Sequence, residues 1–245
     1  MVLQGKIAVV TGATSHAALA VVRGLLEDGA SVALVDPDAL RLDSLIRFLR
    51  GTTVAVPAES AEPGSVRQAQ QQVEKLLGPA DILVNAGDDP PPGKIEAIEP
   101  EDFRRVMARN MEGAFNWSRA VLPSMKKRGW GRIVNIVSLA AKGAVDGGAA
   151  HAASHGGIVA LTFSLAREAA PYGITVNAIA AAFIENSPAV EMLNESQRRQ
   201  ILAAVPLARF CKPEELAHAA RFLVSPLAGF ITGEVLDVNG GVVMD

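Results

Sequence analysis

Short apolar runs alternate with longer amphipathic segments along most of this chain. The runs predict strands at Lys6–Val10, Ser31–Val35, Thr53–Pro57, Asp81–Val84, Gly131–Val137 and Thr175–Ala180. Helical spacing of apolar residues predicts helices at Ala17–Asp28, Leu40–Arg50, Val66–Leu77, Pro100–Arg128, Ala149–Ala170 and Pro213–Leu223. Strands that are apolar on both faces and alternate with helices are typical of a parallel sheet covered on both sides. The pattern therefore predicts an α/β fold with a doubly wound sheet.

Two stretches interrupt this alternation. Asp88–Gly93 is rich in aspartate and proline and is predicted to be a loop, and Ala182–Val205 is predicted to be an irregular insertion that could form a lid. No segment repeats with a period of about 20–50 residues. A chain of 245 residues with one continuous pattern predicts a single domain over residues 1–245.

Composition excludes several classes of function. The formal net charge is −3 with both signs interspersed, so we expect neither a nucleic-acid partner nor an anionic membrane surface. No leader peptide or long apolar span is evident, and the single cysteine, Cys211, cannot form an internal disulfide. These features predict a cytoplasmic protein.

The stretch Asp146–Gly157 carries the most distinctive candidate chemistry. His151 and His155 lie four residues apart and would share one face of a helix. Imidazoles can serve as a general acid and base near neutral pH, and two at this spacing can also chelate one metal ion. Because no glutamate follows His151 and no acidic third ligand is evident nearby, we expect no metal site.

Several short motifs together resemble the short-chain dehydrogenase/reductase family, and are most similar to its 3-oxoacyl-[acyl-carrier-protein] reductase branch. They are Thr11-Gly12, Asp81–Gly87, Asn110, Gly131–Ser138, Ser164–Glu168, Gly173–Asn177, Ile231–Glu234 and Val238–Gly241. The resemblance covers essentially the whole chain. It implies a Rossmann-type fold and a nicotinamide cofactor bound at the first strand-to-helix turn.

At that turn the chain departs from the family pattern T-G-x-x-x-G-x-G. Gly12 matches the first glycine, but His16 stands at the second and Ala18 at the third. A side chain at the second position projects toward the volume of the pyrophosphate, although a charged imidazole could also attract phosphate. Asp36 ends the second strand, where a carboxylate would bind the ribose hydroxyls of NAD and repel the extra phosphate of NADP. The alternative interpretation is that Asp36 is a solvated turn residue.

Other positions near the expected cofactor also depart from the family. The family has an N-N-A-G motif after the fourth strand. This chain has Asn85-Ala86-Gly87 there, so Asn85 and Gly87 match the motif but one asparagine is missing. Ala181-Ala182 replaces the P-G pair beside the nicotinamide, and Ile184 is retained beyond it. The resemblance thus assigns Gly12, His16, Asp36, Asn85, Gly87 and Ile184 to a vestigial cofactor site.

The resemblance also defines the expected catalytic positions. In the family a serine holds the substrate carbonyl, a tyrosine exchanges the proton, a lysine binds the nicotinamide ribose, and an asparagine completes the relay. Ser138 and Asn110 match two of these, whereas His151 and His155 replace the tyrosine and the lysine. The single tyrosine of the chain, Tyr172, falls at the end of the helix and cannot substitute.

Because the departures fall on one cleft, we expect a catalytically inactive subunit. We expect it to assemble with an active homologue in a heterotetramer, as in an acyl-CoA dehydrogenase complex, or to form a homotetramer. We expect this chain to bind no cofactor. If it does bind one, we expect that cofactor to be NAD. In relatives two long helices pack across a dyad, and Val121, Leu122, Val159, Leu161 and Phe163 could supply that contact or could face the sheet.

Two alternatives remain open. The chain could be an NAD-dependent hydroxyacyl-thioester dehydrogenase or ketoreductase that uses His151, with Ser138 and Asn110, in place of tyrosine. It could also be a regulatory protein that binds a ligand in the cleft without turnover.

Overall fold

The computed structural model describes residues 2–87, 93–143 and 148–244. Within these ranges seven parallel strands form one sheet in the order β3-β2-β1-β4-β5-β6-β7. The strands are β1 (Ile7–Thr11), β2 (Ser31–Asp36), β3 (Thr53–Pro57), β4 (Ile82–Ala86), β5 (Gly131–Ser138), β6 (Ile174–Ala181) and β7 (Val235–Val238). This architecture confirms the prediction of a doubly wound, Rossmann-type sheet.

Helices cover both faces of the sheet. They are α1 (His16–Glu27), α2 (Ala39–Ile46), α3 (Pro63–Leu76), α4 (Pro100–Met107), α5 (Gly113–Arg128), α6 (Ala149–Ala169), α7 (Pro188–Glu191), α8 (Glu195–Ala204) and α9 (Pro213–Val224). Val10 packs with α1, α2 and α9 on one face, and its neighbour Val9 packs with α3, α5 and α6 on the other. Successive strand residues point to opposite faces, which is why the strands are apolar throughout.

Three segments differ from their predictions. The helix predicted to reach Arg50 ends at Ile46, and the helix predicted over Pro100–Arg128 is divided by a π-helical turn at Ala108–Glu112. The insertion Ala182–Val205 is not irregular, because it contains α7 and α8. Helix α8 buries none of its residues, so it lacks the apolar periodicity by which helices are recognised in a sequence. It begins instead at a capping box between Asn194 and Gln197.

Two of the five residues expected at a subunit interface lie inside the chain's own core. Val121 and Leu122 are only 1% and 8% exposed and face the sheet, whereas Phe163 is 47% exposed. The predicted loop Asp88–Gly93 lies outside the described residues except for Gly93, as do Asp146 and Gly147 at the start of the histidine-bearing stretch. Among the described helices, none is long and apolar enough to cross a membrane.

The strand order reverses direction between β1 and β4. The chain moves outward from β1 to β2 and β3, then returns to place β4 on the other side of β1. In doubly wound sheets this arrangement opens a crevice at the carboxyl ends of the strands, where ligands bind. The crevice beyond β1, β4 and β5 is therefore where a functional site is expected.

Candidate active site

The turn that joins β1 to α1 approaches β4 very closely. Gly12 has a φ of +55°, and a Cβ built on it would lie 2.5 Å from the backbone oxygen of Ala86. A larger residue at this position would both strain the backbone and clash with β4. The Thr11 hydroxyl accepts a hydrogen bond from the Ala86 amide at 3.2 Å, which ties the two strand ends together. Gly12 therefore permits the tight turn between β1 and α1 and its close approach to β4.

His16 is the first residue of α1. Ser15 caps the helix, with its hydroxyl accepting from the Ala18 amide at 3.3 Å, and Ala18 itself is fully buried in the core. The Nε2 atom of His16 is out of contact with solvent, and no described residue offers it a hydrogen bond. The imidazole thus keeps an unused polar atom at a helix N-terminus, where anions are favoured.

Asp36 is held at the carboxyl end of β2 and is only 8% exposed. One carboxylate oxygen accepts from the Thr14 hydroxyl at 2.8 Å and from the Thr14 amide at 3.3 Å, and the other accepts from the Asp38 amide at 3.0 Å. Asp36 is therefore fixed against the first turn and is not a solvated turn residue. A carboxylate offers about four acceptor positions, so one remains for a ligand hydroxyl.

Asn85 and Gly87 stand at the end of β4 but face different surroundings. The side-chain amide of Asn85 is buried and donates to the Asn135 amide oxygen in β5 at 2.8 Å. It therefore lies within the protein interior, and any effect on a cofactor would pass through the neighbouring backbone. A Cβ on Gly87 would lie 2.6 Å from Asn110 Oδ1 and 3.6 Å from His155 Cε1, so Gly87 adjoins the candidate catalytic residues.

His151 and His155 occupy the first turns of α6 and contact each other. Their ring centroids are 4.3 Å apart, and the ring planes meet at 66°, an edge-to-face arrangement. His155 is 3% exposed, whereas His151 is only partly buried. The more accessible imidazole stands at the position of the family's tyrosine, and the deeper one at the position of its lysine.

His155 is fixed by the end of β5. The backbone amide of Ser138 donates to His155 Nδ1 at 3.3 Å. Burial, and then the charge of His151, lower the pKa of His155 to about 3, so this imidazole is neutral under ordinary conditions. The hydroxyl of Ser138 accepts from the Ala140 amide at 3.2 Å and leaves its own hydrogen available to another acceptor.

Asn110 is linked to His151 through a residue that sequence reasoning missed. Asn110 lies in the π-helical turn, is 2% exposed, and donates to the Ser154 hydroxyl at 3.2 Å. Ser154 is fully buried and donates to the backbone oxygen of His151 at 2.9 Å. The structure thus brings Asn110, Ser138, His151 and His155 together, with Ser154 between them. A serine inside a helix offers no distinct signal in the sequence.

The remaining candidates lie farther from this cluster or beside it. Ile184 is 8% exposed and forms a β-bridge with Cys211, which anchors the segment after β6. Tyr172 is 45% exposed at the far end of α6, about 30 Å from His151 along a helix of 1.5 Å rise per residue. His218 is exposed on α9. Neither Tyr172 nor His218 belongs to the site.

The lowered pKa of His155 predicts a loss of stability in acid. The unfolded chain would bind a proton near the ordinary histidine pKa of about 6.5, whereas the folded chain excludes it until about pH 3. The free energy of unfolding should therefore fall as the pH drops through this window. Urea unfolding between about pH 4 and pH 8 should show a smaller fall in the free energy of unfolding for His155→Gln than for wild type. His218→Gln should follow wild type, and parallel curves for all three proteins would contradict the prediction.

Comparison with known proteins shows the family to which this chain belongs. The family model described as Enoyl-(Acyl carrier protein) reductase matches residues 12–243. The 3-oxoacyl-[acyl-carrier-protein] reductase FabG of Vibrio cholerae is 35% identical over 244 residues, and that of Thermotoga maritima is 34% identical over 247 residues, with 100% of this chain and of each relative covered. The solved structure of 3-ketoacyl-(acyl-carrier-protein) reductase from Brucella melitensis complexed with NADH matches with a TM-score of 0.92 and 33% identity over 99% of this chain and 100% of that chain.

The chain belongs to the short-chain dehydrogenase/reductase family, and it is similar to 3-oxoacyl-[acyl-carrier-protein] reductases over its full length. The expectation of a catalytically inactive subunit is wrong, because the relatives that match from end to end carry the names of reductases and one was solved with NADH. The expectation that the chain binds no cofactor likewise finds no support in these relatives. The relatives also give no support for a heterotetrameric partner or for an acyl-CoA dehydrogenase complex.

Proposed function

We propose that this protein is an NAD-dependent ketoreductase, or hydroxyacyl-thioester dehydrogenase in the reverse direction, that uses His151 in place of tyrosine. The observation that carries the proposal is the cluster of His151, His155, Ser138 and Asn110 at the carboxyl ends of the strands. The names of the relatives support a 3-oxoacyl thioester as the substrate class.

The residues around the crevice fit a dinucleotide. Gly12 lets the first turn approach β4, and the buried Asp36 carboxylate retains capacity for a ribose hydroxyl. His16 has an unused Nε2 at the start of α1, near the expected position of the pyrophosphate. When bound, NADH would supply a hydride to the carbonyl carbon of the substrate.

The chain's own residues account for the proton and for orientation. The Ser138 hydroxyl donates to the carbonyl oxygen of the substrate, and protonated His151 transfers its proton to that oxygen as the alcohol forms. His151 becomes neutral in that step and regains a proton from solvent. Ser154 and Asn110 hold the first turn of α6, because they connect the His151 backbone oxygen to the π-helical turn. Proton transfer by a positioned imidazole contributes about 10²–10⁴-fold to a rate.

Domain organisation, assembly and location complete the proposal. Residues 1–245 form a single domain, and four copies of this chain assemble as a homotetramer in the cytoplasm. A groove between α5 and α6, lined by Phe115 and Leu161 together with the charged Arg119, Lys126 and Glu168, supports a contact between copies. Native mass measurement of the purified chain tests this assembly, and a stable monomer would contradict it.

Purified protein tests the function directly. NADH binding is measured by calorimetry, and NADH consumption is then followed with a 3-oxoacyl thioester. Binding accompanied by consumption supports a reductase. Binding without consumption would instead favour the regulatory protein, and absence of binding would reject both.

The charge of Asp36 predicts a preference for NADH over NADPH. Replacing Asp36 by Asn keeps an acceptor for Thr14 but removes the negative charge that faces a 2′-phosphate. The ratio of NADPH to NADH dissociation constants should fall by about 10-fold or more, which corresponds to at least about 1.4 kcal/mol. Asp38→Asn, a change in the neighbouring exposed carboxylate, is the matched control. An unchanged ratio in Asp36→Asn would remove Asp36 from cofactor selection.

A further inference from the structure

We propose that His155 is a neutral hydrogen-bond donor of fixed tautomer, whose Nε2–H is kept for an oxygen atom of a ligand in the crevice. The proton of the reaction then moves through His151 alone. This inference rests on the proposed function for the identity of the ligand, a cofactor ribose or a substrate carbonyl. The tautomer and the charge state of His155 do not depend on it.

The tautomer follows from the contact with β5. A backbone amide can donate a hydrogen bond but cannot accept one, so the Ser138 amide requires a lone pair on His155 Nδ1. In a neutral imidazole the single proton must then reside on Nε2. The end of β5 thereby determines which edge of the ring is the donor.

The donor has no partner within the described chain. His155 is 3% exposed, and its Nε2 atom is buried without a hydrogen bond from any described residue. Buried N–H groups in folded proteins nearly always have a partner, because leaving one unsatisfied is costly. An unsatisfied donor beside a ligand crevice therefore points to a ligand or an ordered water as the missing acceptor.

The position of the ring places this donor beside the crevice. His155 Cε1, the atom bonded to Nε2, lies 3.6 Å from where a Cβ on Gly87 would be. Gly87 follows the last residue of β4, the strand beside the reversal of strand order. A side chain at Gly87 would meet Asn110 Oδ1 at 2.6 Å before it reached the ring, so His155 and Asn110 together lie against this end of the sheet.

The groups packed against His155 keep it neutral. Among the described residues, the titratable group in contact with it is His151, one turn earlier on α6, and a charge there opposes a second charge on His155. The other elements present uncharged groups: Gly87 after β4, Asn110 from the π-helical turn and Ser138 from β5. The pair therefore holds at most one positive charge, and a lysine-like permanent cation is absent from this position.

Nitrogen NMR of protein labelled with ¹⁵N-histidine tests the tautomer without any turnover. The chain has four histidines, so each can be assigned by single substitution. His155 should show a protonated Nε2 and an unprotonated Nδ1, with shifts that do not change between about pH 5 and 9, a window around the ordinary histidine pKa. A His155 that titrates near neutrality, or that carries its proton on Nδ1, would overturn the proposal.

Two substitutions then identify the acceptor. His155→Asn can still accept from the Ser138 amide but has no donor near Nε2, whereas His155→Gln places an amide donor near Nε2. We expect His155→Asn to weaken ligand binding about 10-fold, as for loss of one hydrogen bond, and His155→Gln to retain most of the wild-type affinity. A weaker NADH dissociation constant identifies the ribose. Unchanged NADH binding with a raised KM or lowered kcat for the thioester identifies the carbonyl.

The same variants separate this inference from the proposed function. If both variants bind NADH and thioester within about twofold of wild type, the change in affinity is well below that expected for loss of one hydrogen bond. In that case no ligand uses the donor and the proposal fails. If wild-type protein consumes no NADH but the NMR tautomer is as described and His155→Asn weakens NADH binding, the proposed reductase fails while the role of His155 stands. Folding of each variant is checked by its thermal unfolding.

Discussion

Replacing His151 by phenylalanine is expected to lower kcat/KM for reduction of a 3-oxoacyl thioester by about 100- to 10,000-fold, the range of a positioned general acid. Phenylalanine fills the ring volume and keeps an aromatic contact with His155, which lies 4.3 Å away between centroids. It cannot donate or accept a proton. The loss should therefore fall on kcat, with NADH affinity nearly unchanged, because the substitution removes an interaction made in the transition state.

His218→Phe is the matched control, because His218 is exposed on α9 and the same change there should leave the rate within about twofold of wild type. The rate is measured as NADH consumption over a range of thioester concentrations that reaches saturation, which gives both kcat and kcat/KM. NADH affinity is measured by calorimetry on the same preparations. If His151→Phe retained most of the activity, the proton would come from another group or from water. The assignment of His151 would then be abandoned even though the protein remained a reductase.

The sheet could be predicted closely from the sequence because burial on both faces leaves a clear pattern. Every residue of β5 from Gly131 to Val137 is buried, and its observed end at Ser138 is one residue beyond the prediction. Segments whose structure depends on local hydrogen bonds were not predicted. Helix α8 is held by its cap rather than by an apolar face, and the π-helical turn at Asn110 leaves no distinct periodicity.

The site could be predicted only in part. The resemblance identified Ser138, Asn110, His151 and His155, and the structure brings them together. It could not indicate the tautomer of His155, which depends on which backbone amide meets the ring. The concentration of departures from the family on one cleft also led to the expectation of an inactive subunit, which the relatives overturn. The two histidines contact each other and share one hydrogen-bonded environment, so their substitutions cannot be counted separately.

Asn85 illustrates a further limit, because its motif suggested a cofactor contact whereas its side chain belongs to a buried chain of hydrogen bonds. Asn85 donates to Asn135 at 2.8 Å, Asn135 donates to the Thr162 hydroxyl at 2.8 Å, and Thr162 donates to the Ile158 backbone oxygen at 2.8 Å. Asn85 and Asn135 are register partners on β4 and β5, and Thr162 lies on α6. This chain of bonds, which we term the amide ladder, connects the sheet to the helix that carries both site histidines.

Replacing Asn135 by alanine is expected to lower the free energy of unfolding by about 2–4 kcal/mol, because it leaves the Asn85 amide without its best partner and opens a small cavity. Asn135 is 1% exposed and Thr162 is fully buried, so water cannot easily replace the lost bonds. For a chain of this size such a loss corresponds to a fall of about 4–16 °C in Tm.

Thr162→Val, which removes the hydroxyl but keeps the shape, should lower the free energy of unfolding by about 1–3 kcal/mol, and Thr162→Ser, which keeps the hydroxyl, should lower it by less. NADH affinity should change little in Asn135→Ala at temperatures where it remains folded. A stable Asn135→Ala that bound NADH poorly would mean that the ladder orients the crevice rather than stabilising the fold.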